Sequence, residues 1–126
     1  MPSSDPTPAH DAGAPASTEA AGLRLLDDVL RAVECVPRGR LVSYGDIAAL
    51  VGTGPRQVGR VMSRAGGEVA WWRVTNARGE LPAHLREEAT RRWREEGIGV
   101  RPGGSARIDA YRADLERLAD DFDRHE

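Results

Sequence analysis

The chain has 126 residues, a length that fits one domain, with 18 basic and 20 acidic side chains and a formal net charge of −2. Every basic residue is arginine, and the single cysteine excludes an internal disulfide and a thiolate metal cluster. No apolar run approaches the roughly 20 residues of a membrane span, and the first residues lack the basic-then-apolar order of a secretory signal, so a soluble, cytoplasmic chain is expected.

In chain order, residues 1–20 are rich in Pro, Ser, Thr and Ala and predict a disordered tail, leaving residues 21–126 as a single domain. Leu23, Leu26, Leu30 and Val33 recur at helical spacing, with Leu25, Val29 and Val36 widening the stripe, and Pro37 stops that helix. After a turn at Pro37-Arg38-Gly39-Arg40 and a short extended piece at Leu41-Val42, Ser43 reads as an N-cap with Asp46 as its reciprocal partner. The helix it opens carries Ile47, Leu50 and Val51 and ends at Gly52. Pro55 then starts a second helix with Val58, Val61 and Met62 on one side and Arg56, Arg60 and Arg64 on another. Residues 43–64 therefore have the dimensions of a helix-turn-helix.

Val69-Ala70-Trp71-Trp72-Arg73-Val74 is strand-like, and Asn76-Ala77-Arg78-Gly79 is a turn signal, which together suggest a small hairpin or wing. A helix over His84–Glu96 buries Leu85, Ala89 and Trp93. Ile108, Tyr111, Leu115, Leu118 and Phe122 predict one last amphipathic helix with an acidic outer face. The fold class is thus mostly α, a winged helix-turn-helix with a small hairpin.

Charge is unevenly placed. Residues 1–36 hold two Arg and six acids, residues 37–81 seven Arg and three acids, and residues 82–126 nine Arg and eleven acids. The middle third is a basic island made only of arginine, whose planar fork donates paired hydrogen bonds to phosphates and base edges. Charge alone does not separate that use from a mixed solvated surface. The coincidence of the Arg row with the helix-turn-helix favours DNA contact.

The sequence offers little to catalysis. Cys35 ends a helix with no His in its segment, although a reactive thiolate needs an electropositive, partly exposed setting. His10, His84 and His125 are scattered, with no pair at metal-ligand spacing, so neither a metal nor a cofactor is expected. Two adjacent Trp in a strand point to opposite faces. By pattern alone both belong to a core, and the rival reading has one of them facing a cleft where a base could stack.

Four segments in order, Val42-Ser43-Tyr44-Gly45-Asp46-Ile47-Ala48, Arg56-Gln57-Val58-Gly59-Arg60, Trp71-Trp72-Arg73-Val74 and Glu95-Glu96-Gly97, resemble the DNA-binding domain of O6-alkylguanine-DNA alkyltransferases, from about Leu23 to about Asp109. Active members of that family carry Pro-Cys-His-Arg-Val at the third motif. Here the aligned residues are Ala70, Trp71, Trp72, Arg73 and Val74, so the acceptor Cys is replaced by Trp71 and the activating His by Trp72. This is the pattern of the alkyltransferase-like proteins, which keep the fold and replace the Cys. An indole is no substitute for a thiolate acceptor, so the resemblance implies a non-enzyme in which Glu96, the family's relay carboxylate, has nothing left to relay and is structural.

The resemblance further implies residue roles. Tyr44 crowds the phosphate beside the lesion, Arg56 enters the base stack as a finger, and Gln57 and Arg60 contact DNA. Gly59 permits close approach to the minor groove. Tyr44, Met62, Val69, Trp71 and Arg73 form the lesion pocket, with Arg73 also bracing its loop. The partner implied is double-stranded DNA containing O6-alkylguanine, bound by a monomer that flips the base and flags it for nucleotide excision repair proteins. The location implied is the cytoplasm, at the nucleoid when DNA-bound. Two rivals stand beside this reading. A sequence-specific winged-helix regulator would read the major groove, commonly as a dimer. A plain helical interaction module would show no salt-dependent DNA binding.

Overall fold

The computed structural model describes residues 7–124, with side chains from Glu19 onward. Helix α1 runs over Thr7–Glu34. The disordered tail expected over residues 1–20 is therefore helical from Thr7, and its first six residues lie outside the described ones. Pro8 falls in the first turn of α1, where a missing N–H breaks no helical bond. The expected apolar stripe is buried only in its later half. Val29, Ala32, Val33 and Val36 are essentially inaccessible, whereas Leu23 is 68% exposed.

Strand β1 (Val42–Ser43) leads into α2 (Tyr44–Val51). The capping box is present: the Asp46 N–H donates to Ser43 Oγ at 3.1 Å and the Ser43 N–H donates to Asp46 Oδ2 at 2.9 Å. Gly52 ends α2 in the left-handed region at φ 84°, its N–H returning to the Ala48 carbonyl. Helix α3 (Pro55–Ala65) follows with Pro55 in its first turn, and α1 packs on both α2 and α3. The helix-turn-helix thus lies where the sequence put it.

The wing differs in detail. Residues Trp71–Arg73 form a 3-10 turn rather than a strand, and β2 is only Val74–Thr75. β2 pairs with β1 in parallel, Val42 opposite Val74 and Ser43 opposite Thr75, so the small sheet is not a hairpin. The Arg73 N–H bonds to the Ala70 carbonyl at 3.0 Å and the Trp71 N–H to the Val69 carbonyl at 2.7 Å. These local bonds satisfy backbone groups that a strand would have left to a neighbour. The turn after β2 closes at Gly79 (φ 82°), where a Cβ would collide with the Ala106 carbonyl oxygen.

Helix α4 (Arg86–Glu95) is preceded by a 3-10 turn over Ala83–Leu85. The single last helix expected is two, α5 (Ile108–Tyr111) and α6 (Leu115–Arg124). Arg112 is extended and pairs beside Leu41. The Leu41 N–H donates to the Tyr111 carbonyl at 2.9 Å and the Ala113 N–H to the Leu41 carbonyl at 2.8 Å. Asp114 Oδ1 then accepts from the Glu116 and Arg117 N–H groups and restarts the helix.

Two apolar clusters result. One joins α1, α2, α3 and α6 through Val29, Val33, Ile47, Val58, Leu118 and Phe122. The other gathers Leu41, Leu81, Ala89, Trp93, Ile98 and Ile108 around α4. Tyr44 packs against both, and the site opens at this junction.

Candidate nucleic-acid interface and lesion cavity

On α3, Val58 and Val61 are buried while Arg56, Gln57, Arg60 and Arg64 are exposed. Arg56, Gly59, Arg60, Ser63 and Arg64 line one shallow open depression. An ideal Cβ built on Gly59 meets nothing within 4 Å, so no packing inside the protein requires glycine there.

Beside this row, a cavity of about 250 Å³ is lined by Tyr44, Gly59, Met62, Trp71 and His84, with Val74, Leu81 and Leu85 among its apolar walls. Gly59 and Ser63 border both the cavity and the Arg depression. Given the roughly 30 Å³ share of one liquid water, the volume equals about eight waters, the scale of a single nucleobase. Burial pushes the Tyr44 phenol up from its ordinary value. A larger depression of about 910 Å³ on α4 carries arginines and glutamates side by side on an open surface, and no chemistry converges there.

Two of the expected pocket residues lie elsewhere. Val69 packs at the edge of the α1–α3 cluster and does not line the cavity. Arg73 is drawn away by Glu96: its Nη2 donates to Glu96 Oε2 at 2.8 Å and its Nε to Oε1 at 3.0 Å. Nη1 reaches the Val36 carbonyl at 3.1 Å, which makes Arg73 a brace and removes it from the wall. His84 lines the cavity although the sequence reading left it out. A lone His in a helix start carries no pattern, and only the fold brings it to Trp71.

Trp71 lines the cavity and Trp72 does not. Their rings meet edge to face, centroids 5.6 Å apart at 85°. Trp72 Nε1 donates to Glu96 Oε2 at 2.8 Å. The indole N–H supplies the bond without a transferable proton. Burial works against the Glu96 charge. Hydrogen bonds from Arg73, the Gly39 N–H and Trp72, together with the Arg73 charge, nevertheless hold its carboxyl below the usual carboxylate range.

Cys35 packs beside the α1–α3 cluster and is not among the residues lining the cavity. Burial first, then the Asp121 and Glu34 charges, push its thiol up against the pull of Arg31. That opposes the thiolate an alkyl acceptor needs.

Fold and site together define a winged helix-turn-helix domain with an apolar side cavity next to the second helix. Residues 25–98 match the family described as 6-O-methylguanine DNA methyltransferase, DNA binding domain. The chain belongs to that family, among its alkyltransferase-like members. It is 34% identical over 88 residues to the DNA base-flipping protein of Escherichia coli (strain K12), covering 67% of this chain and 68% of that protein. The DNA base-flipping protein of Shigella flexneri matches to the same extent. Among solved structures, S. pombe Atl1 bound to damaged DNA containing O6-carboxymethylguanine superposes with a TM-score of 0.63 at 28% identity, over 72% of this chain and 95% of that one. S. pombe ATL in complex with DNA superposes at 0.59 and 30% identity, with the same coverage.

Proposed function

We propose that this protein recognises O6-alkylguanine in duplex DNA, flips the base into the cavity beside α3, and holds it without repairing it. The observation that carries the proposal is Trp71 forming a wall of a base-sized cavity that shares Gly59 with an arginine row. The relatives support it: two are named for base flipping, and one was crystallised on an O6-carboxymethylguanine duplex.

The roles are those that the family resemblance implies, and the placement of the residues supports them. Arg56, exposed on α3, fills the gap left by the flipped base. Gln57 and Arg60 contact the flanking strand, and the bare backbone at Gly59 lets the minor groove approach. Tyr44 turns the nucleotide, and Trp71 and Met62 receive the guanine. Flipping costs a few kcal/mol, least for a damaged base, and stacking on an indole returns about 1–3 kcal/mol. With indoles at the acceptor and activator positions and the one thiol outside the cavity lining, the alkyl group has nowhere to go. A bound lesion therefore persists until another protein acts, which fits a flag for nucleotide excision repair.

The test uses duplex carrying radiolabelled O6-methylguanine. The protein retards the damaged duplex in preference to the undamaged one and acquires no label. Label on Cys35 refutes the non-enzyme reading. A preference for one DNA sequence irrespective of damage replaces it with a regulator.

A further inference from the structure

Trp71 forms a cavity wall, yet its neighbour is the residue tied down. The Trp72 ring N–H is bonded to Glu96. The Trp72 carbonyl accepts the Trp93 indole N–H at 2.6 Å. The Arg92 guanidinium lies over the Trp72 ring at 4.7 Å and that of Arg73 at 5.7 Å. Glu96, its side chain 5% exposed, also accepts the Gly39 N–H at 2.9 Å. Through Arg73 and the Val36 carbonyl it joins the end of α1 to the 3-10 turn and the end of α4. The Trp71 ring meets this held ring edge to face.

We infer that Trp72 and Glu96 are positioning residues for lesion discrimination, fixing the Trp71 ring plane against the cavity although neither of them lines it. This rests on the function proposed above. Preference for lesion duplex depends on capture of the flipped base, which a wall set beforehand favours because a ring free to rotate loses entropy on capture, whereas plain duplex bound without capture bears no such cost. The pair that drives chemistry in active relatives is here reduced to orientation. A tryptophan at position 72 serves this better than a phenylalanine, because only the indole has the N–H that reaches Glu96.

The full chain labelled with 5-fluorotryptophan gives separate fluorine NMR lines for Trp71, Trp72 and Trp93, assigned by substitution. In Trp72→Phe, which keeps a ring but loses the donor, the Trp71 line broadens or splits. Preference for O6-methylguanine duplex over plain duplex falls about tenfold, the scale of one lost charge-assisted hydrogen bond, while plain-duplex affinity holds. Trp72→His, a smaller ring that keeps an N–H, restores both. If Trp72→Phe does not melt cooperatively, Glu96→Leu, which leaves the Trp72 N–H no side-chain acceptor, is read by the same two measurements. A narrow Trp71 line in Trp72→Phe or in the Glu96 variant, or a parallel loss of both affinities there, overturns the positioning role. A wild-type protein with no lesion preference instead overturns the function proposed above.

Discussion

Gly59 sits inside α3, where glycine is less stable than alanine by about 0.5–1 kcal/mol. The space above it is empty, so the penalty has no packing return within the protein. Gly59→Ala therefore separates stability from binding. The variant melts a few degrees higher, as about 1 kcal/mol implies for a domain of this size, and binds DNA more weakly. Thermal denaturation and gel retardation on one sample check both, and unchanged binding would place the duplex away from α3. The Trp pair carries the companion lesson at this scale: one indole became a wall and the next became a tether.

Between elements, two carboxylates act as fasteners. Asp46 caps α2 through Ser43 and also receives Arg112 in two bonds, Nη2 to Oδ1 at 2.7 Å and Nε to Oδ2 at 3.0 Å, so the helix-turn-helix is tied to the segment before α6. Burial opposes its charge, but the Arg112 and Ser43 bonds hold its carboxyl below the ordinary range. Glu96 does the same between α1, the Trp turn and α4. A carboxyl depressed by folding stabilises the native state above its unfolded value, about 4, and loses that contribution as pH falls through the lower folded value. The melting temperature is accordingly steady near neutral pH and drops on acidification below about pH 4. In Glu96→Gln the neutral-pH stability is lower and the acid-induced drop smaller. An unchanged acid slope would mean that Glu96 carries no such coupling.

Across the whole molecule, charge is segregated although the net is only −2. The arginine row of α3 borders the cavity through Gly59 and Ser63, while acidic side chains such as Glu116 and Asp123 stand exposed on α6. DNA affinity therefore falls steeply with salt, with a slope of about −0.9 per phosphate neutralised. Titration in sodium chloride measures it, and Arg60→Ala removes about one unit. A flat salt response would return the protein to the helical interaction module. No helix among the described residues is long and apolar enough to cross a membrane.

The helix-turn-helix was legible from residues 43–64 because its signals are local. A capping box, Gly52, Pro55 and an apolar period act within a few residues, and backbone geometry answers them directly. The same local logic misled over the Trp turn and the last helix, where distant groups decided. The Trp93 indole holds the Trp72 carbonyl, and Leu41 pulls the chain straight at Arg112. What the sequence determined alone was the helix-turn-helix and the arginine row on its second helix. Only the tertiary structure decided that Arg73 braces instead of lining, that His84 reaches the cavity, and that Trp72 is bound to Glu96. Each of those depends on contacts more than ten residues apart in the chain, which no local pattern encodes.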